Sequence, residues 1–234
     1  MNIHIVMHES FEAPGAIADW AQSKNHSIAY TRLYEGDALP TDASSFDFLV
    51  VMGGLQSPAT TTEECPHFDA RKEIAFIKQS IEDSKIVLGV CLGAQMIGEA
   101  MGAAFEHSPN REIGLLEIEL THDAKTDPIF SSFPDKFSVG HWHGDMPGLT
   151  SDGKVLAKSA GCPRQIVRYA PKVYGFQCHF EFTPEVVEAL IANSSDELAD
   201  NASLPYVQDT EQLRSNDYVP GNQLLFRFLD QVTN

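Results

Sequence analysis

The chain has 234 residues, of which 43% are hydrophobic and 21% charged, and its formal net charge is −17. Such a composition belongs to a globular protein with enough chain for a sizeable core. The acidic balance argues against a nucleic-acid or anionic-membrane surface, because phosphates would be repelled.

No apolar run reaches the ~18 residues of a membrane span. The N-terminus, Met1 to His8, lacks a basic stretch followed by a long apolar one and reads as a strand rather than a signal peptide. A cytoplasmic, thiol-reducing address is the expectation. In chain order, Ile3–Met7 is a short apolar strand, and a helix runs to Ser23, with Pro14 and Gly15 placing its start near Ala16. Phe46–Met52 is nearly continuously apolar, as in a buried parallel strand, and ends at Gly53-Gly54. Phe68–Ser84 is an amphipathic helix with Ile74, Ile77 and Ile81 at three- and four-residue steps. Ile86–Val90 is a strand, and Ala94–Met101 a helix stopped at Gly102. This alternation predicts an α/β fold with an open, mostly parallel sheet flanked by helices.

The second half is β-rich: Gly114–Leu120, Val155–Ser159, Gln165–Ala170 and Val173–Phe180, the last two forming a hairpin around Pro171 and Lys172. An additional antiparallel portion is therefore expected. Pro184–Leu198 is a helix with Thr183 as its N-cap, Asn193–Asn222 is polar and loop-rich, and Gly221–Val232 is a terminal helix. The expectation is one domain over residues 1–234, with 193–234 as a loop-and-helix extension.

There are four cysteines, Cys65, Cys91, Cys162 and Cys178, and no C-x-x-C pair, which argues against a zinc ribbon or thioredoxin-type site. Cys91 stands apart. It follows an apolar strand, sits in Gly89-Val90-Cys91-Leu92-Gly93, and precedes a helix, the pattern of a nucleophile on a strained elbow. The helix start would favour thiolate. The best-placed base is His179. Two residues on, Glu181 would share its face in an extended chain and orient the ring. The Gly54 and Leu92 N–H groups could form an oxyanion hole. His141-Trp142-His143-Gly144-Asp145 is a second cluster. It lacks an evident third metal ligand, so no metal is expected and substrate contact or loop architecture is favoured.

Gly89–Gln95, Gly53-Gly54, His143-Gly144-Asp145 and His179-Phe180-Glu181 together resemble the class I glutamine amidotransferase domain, in the form of a stand-alone GMP-synthase glutaminase unit. The resemblance runs in order from residue 1 to about 192 and implies a flavodoxin-like sheet. It implies Cys91 as nucleophile, His179 as base and acid, Glu181 as orienter, and an oxyanion hole from Gly54 and Leu92. It also implies glutamine contacts from Gly53, Gln95, His143 and Asp145, and no cofactor. Phe180 stands where the family usually has proline. No Walker-type phosphate loop is present, so ammonia made here would go to a separate ATP-dependent synthetase. The alternatives are a γ-glutamyl peptidase acting on γ-glutamyl conjugates and a non-catalytic subunit that binds a partner.

Overall fold

The computed structural model describes residues 1–234. The strands are β1 (Asn2–Met7), β2 (Ser27–Arg32), β3 (Phe48–Val51), β4 (Ile86–Val90), β5 (Glu106–Leu120), β6 (Lys136–Met146), β7 (Lys154–Ser159), β8 (Ile166–Ala170) and β9 (Val173–Phe176). The helices are α1 (Ala16–Ser23), α2 (Ala70–Glu82), α3 (Leu92–Ala100), α4 (Pro184–Asn193), α5 (Ser195–Asn201), α6 (Thr210–Ser215) and α7 (Val219–Val232). All nine strands join one sheet in the order β2-β1-β3-β4-β9-β8-β7-β5-β6. From β2 to β9 neighbours are parallel; from β9 to β6 they are antiparallel.

The parallel half is apolar because helices cover both of its faces. Ile3, Ile5, Phe48, Val50, Leu88 and Val90 share a cluster with Ile17 and Trp20 of α1 and with Phe228 and Leu229 of α7. Their alternate neighbours Leu49, Val51 and Val87 pack on Phe76 and Ile77 of α2 and on Met96 and Ile97 of α3. Strand periodicity thus splits one continuous apolar run between two cores.

Several elements depart from the sequence reading. β2 was not anticipated: it is an edge strand with mostly exposed or half-buried residues, so it shows no apolar run. β6 was hidden by its glycines and histidines, yet it pairs with β5 along most of its length. The β8–β9 hairpin forms with Lys172 at φ +63°, but β9 stops at Phe176 rather than Phe180. There β4 turns into its elbow and the ladder between them ends. The expected Pro184–Leu198 helix breaks at Ser194 into α4 and α5. α6 lies in the stretch read as loop and is closed by an Asp209–Gln212 capping box. The buried stripe of α2 is Ala70, Glu73, Phe76, Ile77 and Ser80, while Ile74 and Ile81 are only partly buried.

The parallel strands end at one edge. His8 follows β1, Gly53 lies two residues past β3, Cys91 follows β4, and Gln177 follows β9. At the elbow, α3 lies tight against the sheet. A Cβ on Gly93 would sit 2.0 Å from the Val51 carbonyl oxygen, and one on Gly89 would sit 2.2 Å from the Gly93 carbonyl oxygen. Both contacts are with backbone, which cannot rotate away. Gly93→Ala should therefore destabilise the fold by about 1–3 kcal/mol, as overpacking does; urea denaturation measures it, and an unchanged midpoint would contradict the packing described.

Candidate active site

Cys91 sits at the elbow with φ +51°, a region that a residue with a side chain enters only under constraint. Its N–H donates to the Phe176 carbonyl at 2.7 Å, which holds the bend against β9. The side chain is 7% exposed. Its thiol points to the Trp142 carbonyl at 3.8 Å and accepts from Gln177 Nε2 at 3.4 Å.

His179 and Glu181 arrive on the segment beyond β9. Each is 3% exposed, and His179 Nδ1 donates to Glu181 Oε1 at 2.7 Å. His179 Nε2 makes no hydrogen bond, and Cys91 is the thiol that acts on the ring from that side. The pair shares an environment as expected, although the backbone here is not a continuous strand. It is held instead by His179 and Gly140 exchanging backbone hydrogen bonds at 2.8 and 3.0 Å. Phe182 stacks on the imidazole at 4.3 Å and 20°, and fits because residue 140 is glycine: a Cβ there would lie 2.3 Å from the Phe182 ring. The Glu181 carbonyl accepts from the Ala16 N–H at 3.0 Å, and Asn222 of α7 donates to the carbonyls of Phe180 and Phe182 at 2.7 and 3.0 Å.

Burial pushes the Cys91 thiol up from its ordinary value, and the opposing pull of His179 and of the Leu92 N–H does not cancel it. The helix start alone therefore does not deliver a resting thiolate, contrary to the sequence expectation. Burial would lower His179, but the Glu181 carboxylate and the Cys91 thiol outweigh it and hold the imidazole well above its usual value. The proton belongs to the pair as a unit.

The sulfur opens onto a cavity of about 180 Å³ lined by Gly54, Leu92, Gln95, His143 and Asp145 among others. The Gly54 and Leu92 N–H groups make no hydrogen bond to a protein carbonyl or carboxylate, which leaves two free donors on residues that line the cavity with Cys91. Gly53 abuts the site: a Cβ there would lie 3.4 Å from the Cys91 Cβ. Gln95 donates to Gln177 Oε1 at 3.2 Å, while its own buried Oε1 has no partner. Asp145 is tied to the exposed His107 at 2.6 Å.

Sequence reasoning missed Glu12, Arg111, Glu197 and Gln177. Glu12 lines the cavity, and burial pushes its carboxyl up to about 7. Arg111 and Glu197 form an ion pair at the rim, and Trp142 Nε1 donates to Glu197 at 2.9 Å. Nothing local marks such long-range partners. Gln177 could have been found, since it lies two residues before His179.

Glu112 supplies the third side chain that the His141–His143 pair lacked as a metal-ion donor set. Its carboxylate, though, already accepts from Ser159 Oγ at 2.9 Å, Gln165 Nε2 at 2.6 Å and the Gly161 N–H at 3.2 Å. Burial holds His141 neutral, down to about 3. Hydrogen bonds satisfy the carboxylate, and Gln165 Nε2, which donates to it, also lies 3.3 Å from Nε2 of the cavity-lining His143.

A sulfur-bearing elbow at the edge of this parallel and antiparallel sheet is the arrangement of class I glutamine amidotransferases. The chain belongs to that family, whose profile matches residues 18–196. It is 50% identical over 233 residues to the glutamine amidotransferase-like protein YfeJ of Salmonella typhimurium, covering 100% of this chain and 98% of that protein. It is 35% identical over 97 residues to a glutamine-hydrolysing GMP synthase subunit of Pyrococcus abyssi, covering 41% of this chain and 50% of that protein. A glutamine amidotransferase crystal structure from Thermotoga maritima superposes with a TM-score of 0.87 at 24% identity, over 100% of this chain and 98% of that one.

Thiol alkylation tests the electrostatics, because thiolate is the reacting species. Iodoacetamide should label cavity-lining Cys91 and half-buried Cys65 while sparing Cys162 and Cys178, which are buried away from that cavity. His179→Asn should slow Cys91 labelling at neutral pH and move its midpoint upward. A midpoint that stays in place would show that the imidazole does not govern the sulfur.

Proposed function

We propose that this chain hydrolyses the side-chain amide of glutamine through a γ-glutamyl thioester on Cys91. The observation that carries the reading is a thiol that lines one cavity with two backbone donors lacking a carbonyl or carboxylate acceptor, backed by a buried, carboxylate-paired imidazole. Cys91 passes its proton to His179 as the sulfur attacks the amide carbon. The Gly54 and Leu92 N–H groups receive the oxyanion. His179 returns the proton to the departing ammonia, then takes one from the water that releases glutamate and frees the thiol. The unpaired Gln95 Oε1 suits a donor on the substrate, His143 and Asp145 line the pocket, and Gly53 packs behind Cys91. No cofactor is needed for these steps.

Residues 1–234 would act as a single domain, with ammonia passing to a separate ATP-dependent synthetase. Support for that partner is the likeness to a protein named as one part of a GMP synthase. A second reading, γ-glutamyl peptides as substrates, is favoured by Arg111, the one Lys or Arg lining the cavity. Its guanidinium could meet an additional carboxylate.

Incubation with glutamine and with γ-glutamyl dipeptides, measuring glutamate and ammonia, decides between the two. Neither substrate being cleaved, even with candidate synthetases present, would defeat both. Cys91→Ala should abolish turnover. Glu181→Gln should lower kcat by roughly 10²–10⁴-fold. It should also move the acid limb of the kcat/KM profile to lower pH. The sign follows from the carboxylate, which raises the imidazole: without it the pair sheds its inhibitory proton at lower pH. A limb that moves upward would refute the assignment.

A further inference from the structure

We propose that the buried His8–Glu73 pair is a positioning device that locks the Gly53–Gly54 peptide with the Gly54 N–H facing the cavity beside the Cys91 sulfur. The inference rests on the glutamine-hydrolysis reading for its functional consequence, and on geometry for the lock itself.

His8 is the first residue past β1 and is fully buried. Its Nδ1 lies 2.8 Å from the Gly53 carbonyl oxygen, and its Nε2 lies 2.9 and 3.1 Å from the two carboxylate oxygens of Glu73. A carbonyl oxygen can only accept, so Nδ1 carries a proton and donates it. Nε2 faces a carboxylate, so a second proton sits between ring and acid. The His8–Glu73 contact therefore fixes the ring state in which Nδ1 is a donor. Burial would lower the His8 imidazole, but Glu73 outweighs it and raises it, with the Gly53 carbonyl and the carboxylate of Glu12 adding to the rise. The Phe68 ring meets the imidazole edge-on at 5.5 Å and closes its remaining side.

The peptide after Gly53 is trans, so the Gly54 N–H points opposite to the Gly53 carbonyl. Pinning that carbonyl to His8 turns the N–H away from the ring. Gly54 lines the cavity with Cys91 and Leu92, and its N–H has no protein acceptor. Neither His8 nor Glu73 lines that cavity, so both act through the peptide. Diglycine is flexible, and without the anchor this peptide could rotate. A buried ion pair is seldom justified by stability alone, since apolar residues of like size often serve as well. Here one pair restrains one mobile peptide. Donation by His8 also polarises the amide and strengthens its N–H as a donor.

The test is His8→Phe, which keeps a ring and removes the donor. With glutamine or a γ-glutamyl peptide, kcat should fall roughly 10²-fold, the cost of losing one such donor, with KM changed less than about threefold. Iodoacetamide labelling of Cys91 involves no oxyanion and should keep its rate. Glu73→Gln should lose less than about tenfold, because its amide can donate to Nε2 and leave Nδ1 protonated. A folded His8→Phe enzyme with kcat within about threefold of the parent overturns the proposal. His8→Leu replaces it if the phenylalanine variant does not fold. Should the parent chain cleave neither substrate, the function reading fails separately. A crystal structure of the variant then decides the lock: a rotated Gly53 carbonyl supports it, and an unmoved one refutes it.

Discussion

The approach of α3 to the sheet is the constraint on which the rest depends. The helix can start directly after β4 only because its first turn lies against the β3 backbone, and Gly93 supplies the missing volume. That approach forces Cys91 into a positive-φ bend and leaves the Leu92 N–H without an intrahelical acceptor. It also brings Gly54 to the leucine that follows the sulfur, with a Cβ on Gly54 only 3.0 Å from the Leu92 side chain. One steric requirement thus turns the buried sulfur to the cavity that Gly54 and Leu92 also line.

The second determinant is burial. The Cys91, His179 and Glu181 side chains lie almost wholly away from water, where charges interact strongly and isolated ones are penalised. Burial resists an isolated thiolate, so ionisation of the sulfur depends on the ring beside it. The ring in turn depends on Glu181, and Glu181 on α1 and α7, whose Ala16 and Asn222 hold the surrounding backbone. The terminal helix reaches the site in this way without lining the cavity.

The cavity departs from the acidic character of the whole chain in one respect. Glu12, Asp145 and Glu197 share its lining with a single guanidinium, Arg111, already paired to Glu197. A net charge of −17 would repel an anion arriving from solution. A zwitterion such as an amino acid meets both signs at the rim, which suits the proposed substrate class.

The sequence by itself determined the alternation of strand and helix, the elbow at Cys91, and the His179–Glu181 spacing. These are local: apolar runs, flanking glycines and short separations carry them. It did not reveal β2, whose edge position removes the apolar signal, nor β6, whose pairing with β5 is decided by contact across the sheet. Likewise nothing in the local pattern of α2 marks Glu73, and only the packing of that helix turns it toward His8. Glu12, Arg111 and Glu197 come from the stretch after β1, the irregular part of β5 and α5, and meet because the fold packs these three around one cavity. Tertiary structure alone chooses such partners, since a buried polar group is satisfied by whatever the fold places beside it, at any separation along the chain.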